Sequence, residues 1–166
     1  MRFLKLGIIS LVVLFLLITA MASLLPSTVH ISRAVDIDAP FDSIYTNVND
    51  VTKWKRWIAH YDPSKASVGA NTTGRGAAIT INKTTVTVLN SSREKITTSW
   101  KTGSKSLDSE FNFFVQPGST LVTVQWHFIQ HVRWYPWEKF ASIVSDKVMG
   151  PMMEQSLDNL KKLVEK

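Results

Sequence analysis

An uninterrupted apolar segment lies close to the N-terminus. Arg2 and Lys5 are followed by Leu6 to Leu25, in which every residue is apolar or small apart from two serines and one threonine. A helix needs about 20 such residues to cross the hydrocarbon core of a membrane. Pro26 ends the helix, because proline lacks the backbone N–H that a further turn would use. The pattern predicts a transmembrane helix over residues 6–25, and the positive charges before it predict that residues 1–5 stay in the cytoplasm.

A cleaved signal peptide is the alternative interpretation of the same segment. Ala20-Met21-Ala22 matches the cleavage motif of such peptides, and cleavage after Ala22 would give a secreted form. The apolar run continues through Leu24 and Leu25, which favours a retained helix because the run is then long enough to span. Both interpretations send the rest of the chain across the membrane. We therefore expect a single-pass protein of the bacterial inner membrane, with its domain on the periplasmic or extracytoplasmic side.

Beyond the apolar segment, the pattern changes to alternation and then to helical spacing. Val29 to Asp38 carries apolar residues at alternate positions, which predicts a strand with one buried face. Pro40 suits the first position of a following helix, since its missing N–H is not needed there. Asp50 can cap a second short helix. Apolar residues recur at helical spacing in both, with Phe41, Ile44, Tyr45 and Val48 in the first and Val51, Trp54, Trp57 and Ile58 in the second.

Short alternating segments separated by turn residues fill the middle of the chain. They run from Ala77 to Ile129, and a further short strand is expected near Ser67. Segments at this spacing predict an antiparallel meander of about six strands. The turns are expected at Asn82-Lys83, Asn90 to Arg93, Gly103-Ser104 and Pro117-Gly118.

A long helix is predicted at the C-terminus. Pro136 opens it, and Gly150-Pro151 is expected to kink it. Its apolar residues recur near the helical period, at Phe140, Ile143, Val144, Val148, Met152, Met153, Leu157, Leu160 and Leu163. Together the elements predict an α+β fold, in which a curved antiparallel sheet of six to seven strands wraps around the long C-terminal helix. Two short helices follow the first strand, and one transmembrane helix precedes the domain.

Composition and charge remove several classes of function. The chain has no cysteine, which excludes disulfides and thiolate chemistry. Its net charge of +6 suits nearby anionic lipid head groups, or solubility alone. Lys53 to Trp57 mixes basic and aromatic residues, as surfaces that bind nucleic acid do. The spacing of three between Trp54 and Trp57 instead places both rings on one helix face. We therefore expect a helix with its charges in water and no nucleic-acid partner.

Candidates for metal or catalytic chemistry are weak. His127 and His131 have no evident carboxylate or third histidine beside them, so no metal site is expected. Gly74-Arg75-Gly76 precedes a strand rather than following one, and is therefore no dinucleotide fingerprint. The G-x-S-x-G motif of a nucleophilic serine is absent from the sequence. We predict no cofactor and no catalytic residue.

Several short motifs, taken in their order along the chain, resemble one family. They are Val35 to Pro40, Asn49-Asp50 followed by Trp54 and Trp57, Gly74 to Ala77, Ser92 to Ile96, and Met149-Gly150-Pro151 followed by Leu157, Leu160, Lys161 and Lys162. The chain resembles a small membrane-anchored member of the polyketide cyclase/dehydrase and lipid-transport family, within the START-like helix-grip (SRPBCC) superfamily. The resemblance implies a helix-grip domain over residues 28–166 with an apolar cavity under the long helix.

Two segments depart from the pattern of that family. The hairpin between Ile81 and Val86 is short, and the tryptophan-rich segment from Trp134 to Trp137 has no counterpart. Both are expected to reshape the mouth of the cavity.

Aromatic residues are the candidates for the cavity wall that the resemblance implies. They are Trp54, Trp57, Trp100, Phe111, Phe113 and Phe140. Ordinary core packing is the alternative role for each of these rings. Arg33, Thr98 and Ser109 are the candidate polar residues of the cavity, whereas Glu110 is expected to point outwards.

Three functions remain open at this point, because a fold alone does not decide function. The leading one is a monomeric, membrane-tethered binder or carrier of a small hydrophobic ligand, lipid- or isoprenoid-like, with membrane lipid as its neighbour. A cyclase or dehydratase using the same cavity would need polar groups there for acid–base chemistry. A cell-envelope interaction module would fill its cavity with its own side chains.

Overall fold

The computed structural model of the protein describes residues 2–116 and 118–166. Met1 of the predicted cytoplasmic segment and Pro117 of the predicted Pro117-Gly118 turn lie outside the described residues. The apolar segment forms helix α1, Arg2–Ser23, whose 22 residues extend about 33 Å. Nearly all of its side chains are exposed, and Ala22 is the buried residue near its end. A helix of this length and composition is compatible with a membrane span and with a signal sequence.

A seven-stranded antiparallel sheet forms the body of the domain. Its strands follow the order β1-β7-β6-β5-β4-β3-β2, so the first and last strands pair and the others follow in chain order. This confirms the predicted antiparallel meander. The strands are β1 Thr28–Asp38, β2 Ala66–Val68, β3 Ala78–Ile81, β4 Thr84–Ser91, β5 Lys95–Thr102, β6 Lys105–Val115 and β7 Leu121–His131.

The predicted helices are all present. Helix α2, Phe41–Asn49, follows β1, and the 3₁₀ helix Val51–Arg56 follows α2. The Asp50 side chain caps this 3₁₀ helix by accepting a hydrogen bond from the backbone N–H of Thr52 at 3.0 Å. A second 3₁₀ helix, Pro63–Lys65, leads into β2. The long helix α3, Pro136–Val164, continues through the predicted interruption at Gly150-Pro151.

The hydrophobic core lies where α2, the first 3₁₀ helix and α3 cover one face of the sheet. Alternate residues along the strands are buried, as the period of two predicts. In β7 the buried residues are Val122, Val124, Trp126 and Phe128. The helices contribute Ile44, Val48, Trp54, Met153, Leu157 and Leu160, and Trp57 follows directly after the first 3₁₀ helix. The fold is therefore an α+β helix-grip arrangement, as predicted.

Candidate functional site

The large aromatic side chains meet in one cluster in the core. Trp54, Trp57 and Phe111 have no exposed surface, and Trp100 is partly buried beside them. Trp100 stacks on Trp54 with ring centroids 5.9 Å apart, and Phe111 stacks on Trp126 at 4.9 Å. Spacings between 4.5 and 7 Å are those at which aromatic pairs attract each other. The structure thus brings together Trp54, Trp57, Trp100 and Phe111, and adds Trp126 and Phe128, which were predicted only as strand residues.

Two buried hydroxyl groups complete this aromatic cluster. Ser109 Oγ accepts a hydrogen bond from the indole Nε1 of Trp126 at 2.7 Å. Thr98 Oγ1 accepts one from Nε1 of Trp100 at 3.0 Å and lies 3.4 Å from the carbonyl oxygen of Ser109. A buried indole N–H needs such an acceptor, because leaving it unpaired costs about 1–3 kcal/mol. Thr98 and Ser109, both predicted as polar cavity residues, therefore satisfy the tryptophans of the core.

The remaining predicted aromatic residues lie away from this cluster. Phe113 is buried against Phe41 and Tyr45, with ring centroids 5.8 and 6.0 Å away. Phe140 lies in the first half of α3 with 40% of its surface exposed. The sequence pattern did not separate these two positions from the core tryptophans, because each is an aromatic residue at the correct local period.

Arg33 holds α3 against β1. Its Nη1 lies 3.0 Å from Asp146 and its Nε 2.5 Å from Glu154, both on α3. These two carboxylates raise the pKa of the guanidinium, so it remains charged. The guanidinium also crosses α3 at Gly150, where an added Cβ would lie only 2.2 Å from Nη2. Arg33 was predicted as a polar residue of the cavity, and the structure places it at this contact between strand and helix.

A cleft of about 300 Å³ opens between the start of α3 and the neighbouring end of the sheet. The β5–β6 hairpin forms one side and the end of β7 another. Residues around it include Lys105, Leu107, Gln130, Arg133, Glu138 and Ala141. We call this space the α3 cleft. Leu107 connects it to the core, since it packs against the hydrophobic cluster and pairs in register with Trp100.

Charges of both signs lie at the rim of the α3 cleft. Lys105 and Arg133 are exposed cations, and Glu138 is a partly buried anion. Glu138 is oriented by the backbone N–H of Arg133, which donates to its Oε2 at 3.2 Å. Most residues around the α3 cleft are therefore polar or charged, and Leu107, Val132 and Ala141 are its apolar residues. A molecule bound there would need polar groups beside any apolar part.

On the outer face of the sheet, Glu110 and His127 form a pair that sequence reasoning missed. They lie opposite each other on β6 and β7, with Glu110 Oε2 3.3 Å from His127 Nε2. The expectation that no carboxylate lies beside His127 is therefore wrong, because it required the strand register, which local patterns do not give. Burial lowers the pKa of His127 and Glu110 partly opposes that shift. Within residues 2–116 and 118–166, no group of three or more metal-ligating side chains is present.

Comparison with solved structures shows the same fold at low sequence identity. KanY has a TM-score of 0.65 and 20% identity, and the alignment covers 85% of this chain and all of KanY. Truncated norcoclaurine synthase from Thalictrum flavum has a TM-score of 0.64 and 13% identity, with coverage of 82% and 93%. A protein of unknown function from Staphylococcus aureus, SA2116, has a TM-score of 0.61 and 12% identity, with coverage of 83% and 95%.

Sequence comparison gives the family. No match was found among curated proteins. The family described as polyketide cyclase/dehydrase and lipid transport matches residues 28–165, which is most of the chain. The protein therefore belongs to the polyketide cyclase/dehydrase and lipid transport family.

Proposed function

We propose that the protein is a membrane-tethered domain that binds a small, mainly hydrophobic molecule, lipid- or isoprenoid-like, in the α3 cleft. One observation carries this proposal. The cleft opens beside the point where the chain leaves α1. Glu138 lies at the cleft, and its neighbour Lys139 donates from Nζ to the carbonyl oxygen of Leu25 at 2.8 Å. If α1 spans a membrane, the cleft lies within reach of lipid.

The dimensions of the α3 cleft suit a small ligand or one end of a larger one. Its volume of about 300 Å³ is at the lower limit for ligand sites. An apolar chain would contact Leu107, and an anionic head group would lie near Lys105 and Arg133. The aromatic cluster beneath is already packed, so the ligand would occupy the edge of the domain rather than its centre.

A related structure supports ligand binding by this fold. Norcoclaurine synthase from Thalictrum flavum has been solved in complex with dopamine and hydroxybenzaldehyde. The fold can therefore hold small organic molecules in that protein, which is 14% identical to this chain.

The buried polar groups favour binding over catalysis. In the described part of the chain they are Thr98, Ser109, Lys139, Ser142 and Ser156, and Lys139 is the ionisable one among them. Its ammonium group is already engaged, because Nζ donates to Leu25 and to Ser27 Oγ at 2.9 Å. A cyclase or dehydratase would need an ionisable group whose environment tunes it for proton transfer to the substrate.

Two experiments test this proposal, extraction of a bound ligand and binding of a fluorescent probe. We expect mass spectrometry of the purified full chain, after organic extraction, to find a lipid-like molecule. We also expect the chain to bind a fluorescent fatty acid. Leu107→Trp fills the cleft and should weaken that binding at least tenfold. Leu89→Trp, on an exposed position of β4, is the matched control and should change nothing. An empty protein whose weak probe binding is the same in both variants would overturn the proposal.

The second candidate is a cell-envelope interaction module whose interior is filled by its own side chains. The packing of the core favours it. Trp54, Trp57, Phe111 and Trp126 have no exposed surface, and rings in contact fill the interior where a cavity was expected. Such a domain would act through its surface rather than through a ligand. Cross-linking of the full chain in intact membranes distinguishes the two. A reproducible protein partner, together with the absence of any extracted lipid, would favour the module.

A further inference from the structure

The first half of α3 carries an apolar face that points away from its own domain. Trp137, Phe140, Val144 and Val148 follow one another at spacings of three or four residues, which places them on one side of a helix. All are exposed, from 40% for Phe140 to 70% for Val148. On its opposite side the same half buries Lys139, Ser142 and Gly150. We call the four residues with Trp134 the α3 outer face.

This apolar face ends abruptly at Pro151. Continuing the same spacing along the helix gives Gln155, Asp158 and Lys162, which are polar or charged and exposed. The second half of α3 is therefore an ordinary amphipathic helix, with its apolar side in the core and its polar side in water. The first half has the reverse arrangement, in which the apolar side faces out. The contrast within one helix shows that the first half has a different environment.

The position of α1 indicates what that environment is. Lys139 holds the carbonyl oxygen of Leu25 and the hydroxyl of Ser27, so the start of α3 is fixed beside the end of α1. After Lys5, α1 is apolar apart from two serines and one threonine, and the helix is long enough to span a membrane. Where α1 leaves the hydrocarbon core, the start of α3 therefore lies at the same depth.

The residues around the start of α3 have the composition of a membrane interface. Tyr135 stacks on Trp137 with ring centroids 4.9 Å apart, and Trp134 packs against Tyr135 at 4.6 Å in a tilted arrangement. Both tryptophans are more than 60% exposed. Tryptophan and tyrosine concentrate at the level of the lipid head groups, where one end of the ring is wet and the other apolar. Exposed cations, Arg133 and Lys147, flank the face and complement anionic head groups.

We propose that the α3 outer face lies in the head-group region of the bilayer that α1 spans. Residues 136–150 extend about 22 Å, so the helix rests on the membrane as an interfacial amphipathic segment. This inference rests on the membrane tether of the proposed function. It adds that the domain is held at the bilayer at two places, α1 and the first half of α3.

The absence of cysteine allows a direct test with single labels on the full chain. Val144→Cys places a label on the α3 outer face, and Gln155→Cys places a matched one on the same side of the helix after Pro151. Each variant is labelled with NBD and reconstituted in vesicles of phosphatidylcholine and phosphatidylglycerol. Doxyl-labelled phosphatidylcholine should quench NBD at position 144 at least threefold more than at position 155. Val148→Cys repeats the measurement if Val144→Cys does not fold.

The possible results distinguish a failure of the membrane tether from a failure of the interfacial α3 outer face. Before quenching is measured, the vesicles are washed with alkaline carbonate, which removes proteins that are not integral. Retention of the chain with equal quenching at positions 144 and 155 would overturn the interfacial helix and leave the tether standing. Release of the chain would overturn both. Energy transfer between labels on different chains at position 144 would show that a second copy, rather than lipid, covers the face.

Discussion

Substitution of Gly150 by alanine tests how α3 is held to the sheet. In an ordinary helix this change stabilises the fold by about 1 kcal/mol, because alanine has the higher helix propensity. Here the new Cβ would lie 2.2 Å from Nη2 and 2.9 Å from Cζ of Arg33. Carbon atoms in contact normally lie 3.5–4.0 Å apart, so the guanidinium must move by more than 1 Å. That movement breaks its pairing with Asp146 and Glu154.

The size of the effect follows from the exposure of the paired groups. The carboxylates of Asp146 and Glu154 are 54% and 60% exposed, so each of the two pairs contributes only about 0.5–1 kcal/mol. Gly150→Ala should then lose about 1–2 kcal/mol of pairing and gain about 1 kcal/mol of helix propensity. The free energy of unfolding falls by zero to about 1 kcal/mol in the native background. In an Arg33→Ala background, nothing obstructs the Cβ, and the same change should raise the free energy of unfolding by about 1 kcal/mol.

Equilibrium unfolding of the full chain in a non-ionic detergent measures both effects, with the fluorescence of the buried tryptophans as the signal. The four proteins of the cycle give a coupling energy between positions 33 and 150 of about 1–2 kcal/mol. If Gly150→Ala stabilises both backgrounds equally, Arg33 does not hold α3 at Gly150 and the reasoning is refuted.

Three further predictions concern single contacts. Ser109→Ala removes the acceptor of the Trp126 N–H and should lower the free energy of unfolding by about 1–3 kcal/mol in urea unfolding; a cost below 0.5 kcal/mol would contradict the buried hydrogen bond. The pKa of His127 is lowered by burial, so the unfolded chain binds more protons and stability should decrease as the pH falls below about 6.5. His127→Gln should flatten that dependence, and an unchanged profile would exclude His127 as its cause. Lys139→Met leaves the Leu25 carbonyl without its donor, so limited proteolysis next to Leu25 should become faster, and unchanged cleavage would show that the contact does not fix this segment.

The sheet could be predicted from the sequence because its information is local. Alternation in Val29 to Asp38 and in Leu121 to Ile129 reflects one buried face, and turn residues mark the ends of strands. The pairing of β1 with β7 joins segments about 90 residues apart, and the local pattern did not predict it. Fold and family were therefore accessible without coordinates.

Contacts between residues far apart in the sequence could not be predicted in the same way. Arg33 meets Asp146 across 113 residues, and Glu110 meets His127 only through the register of two strands. A local sequence pattern does not predict which distant residues come into contact. The sequence pattern also grouped Phe140 and Leu160 in one apolar run. Twenty residues of α-helix place them on roughly opposite sides, and the structure exposes the first and buries the second. A period reports which residues share a side of a helix, but not what that side packs against.

The two halves of α3 give the domain its organisation. The second half of α3 covers the core. There the indole N–H groups of Trp54, Trp57, Trp100 and Trp126 all donate hydrogen bonds within the protein, so none of the four is free to bind a ligand. The first half borders the α3 cleft through Glu138 and Ala141 and also carries the exposed α3 outer face. Arg33 and Gly150 fix the boundary between the halves. If α1 spans a membrane, as proposed above, a molecule that leaves the bilayer beside α1 would meet the first half of α3 before the packed core. Binding at this edge requires no opening of the packed core.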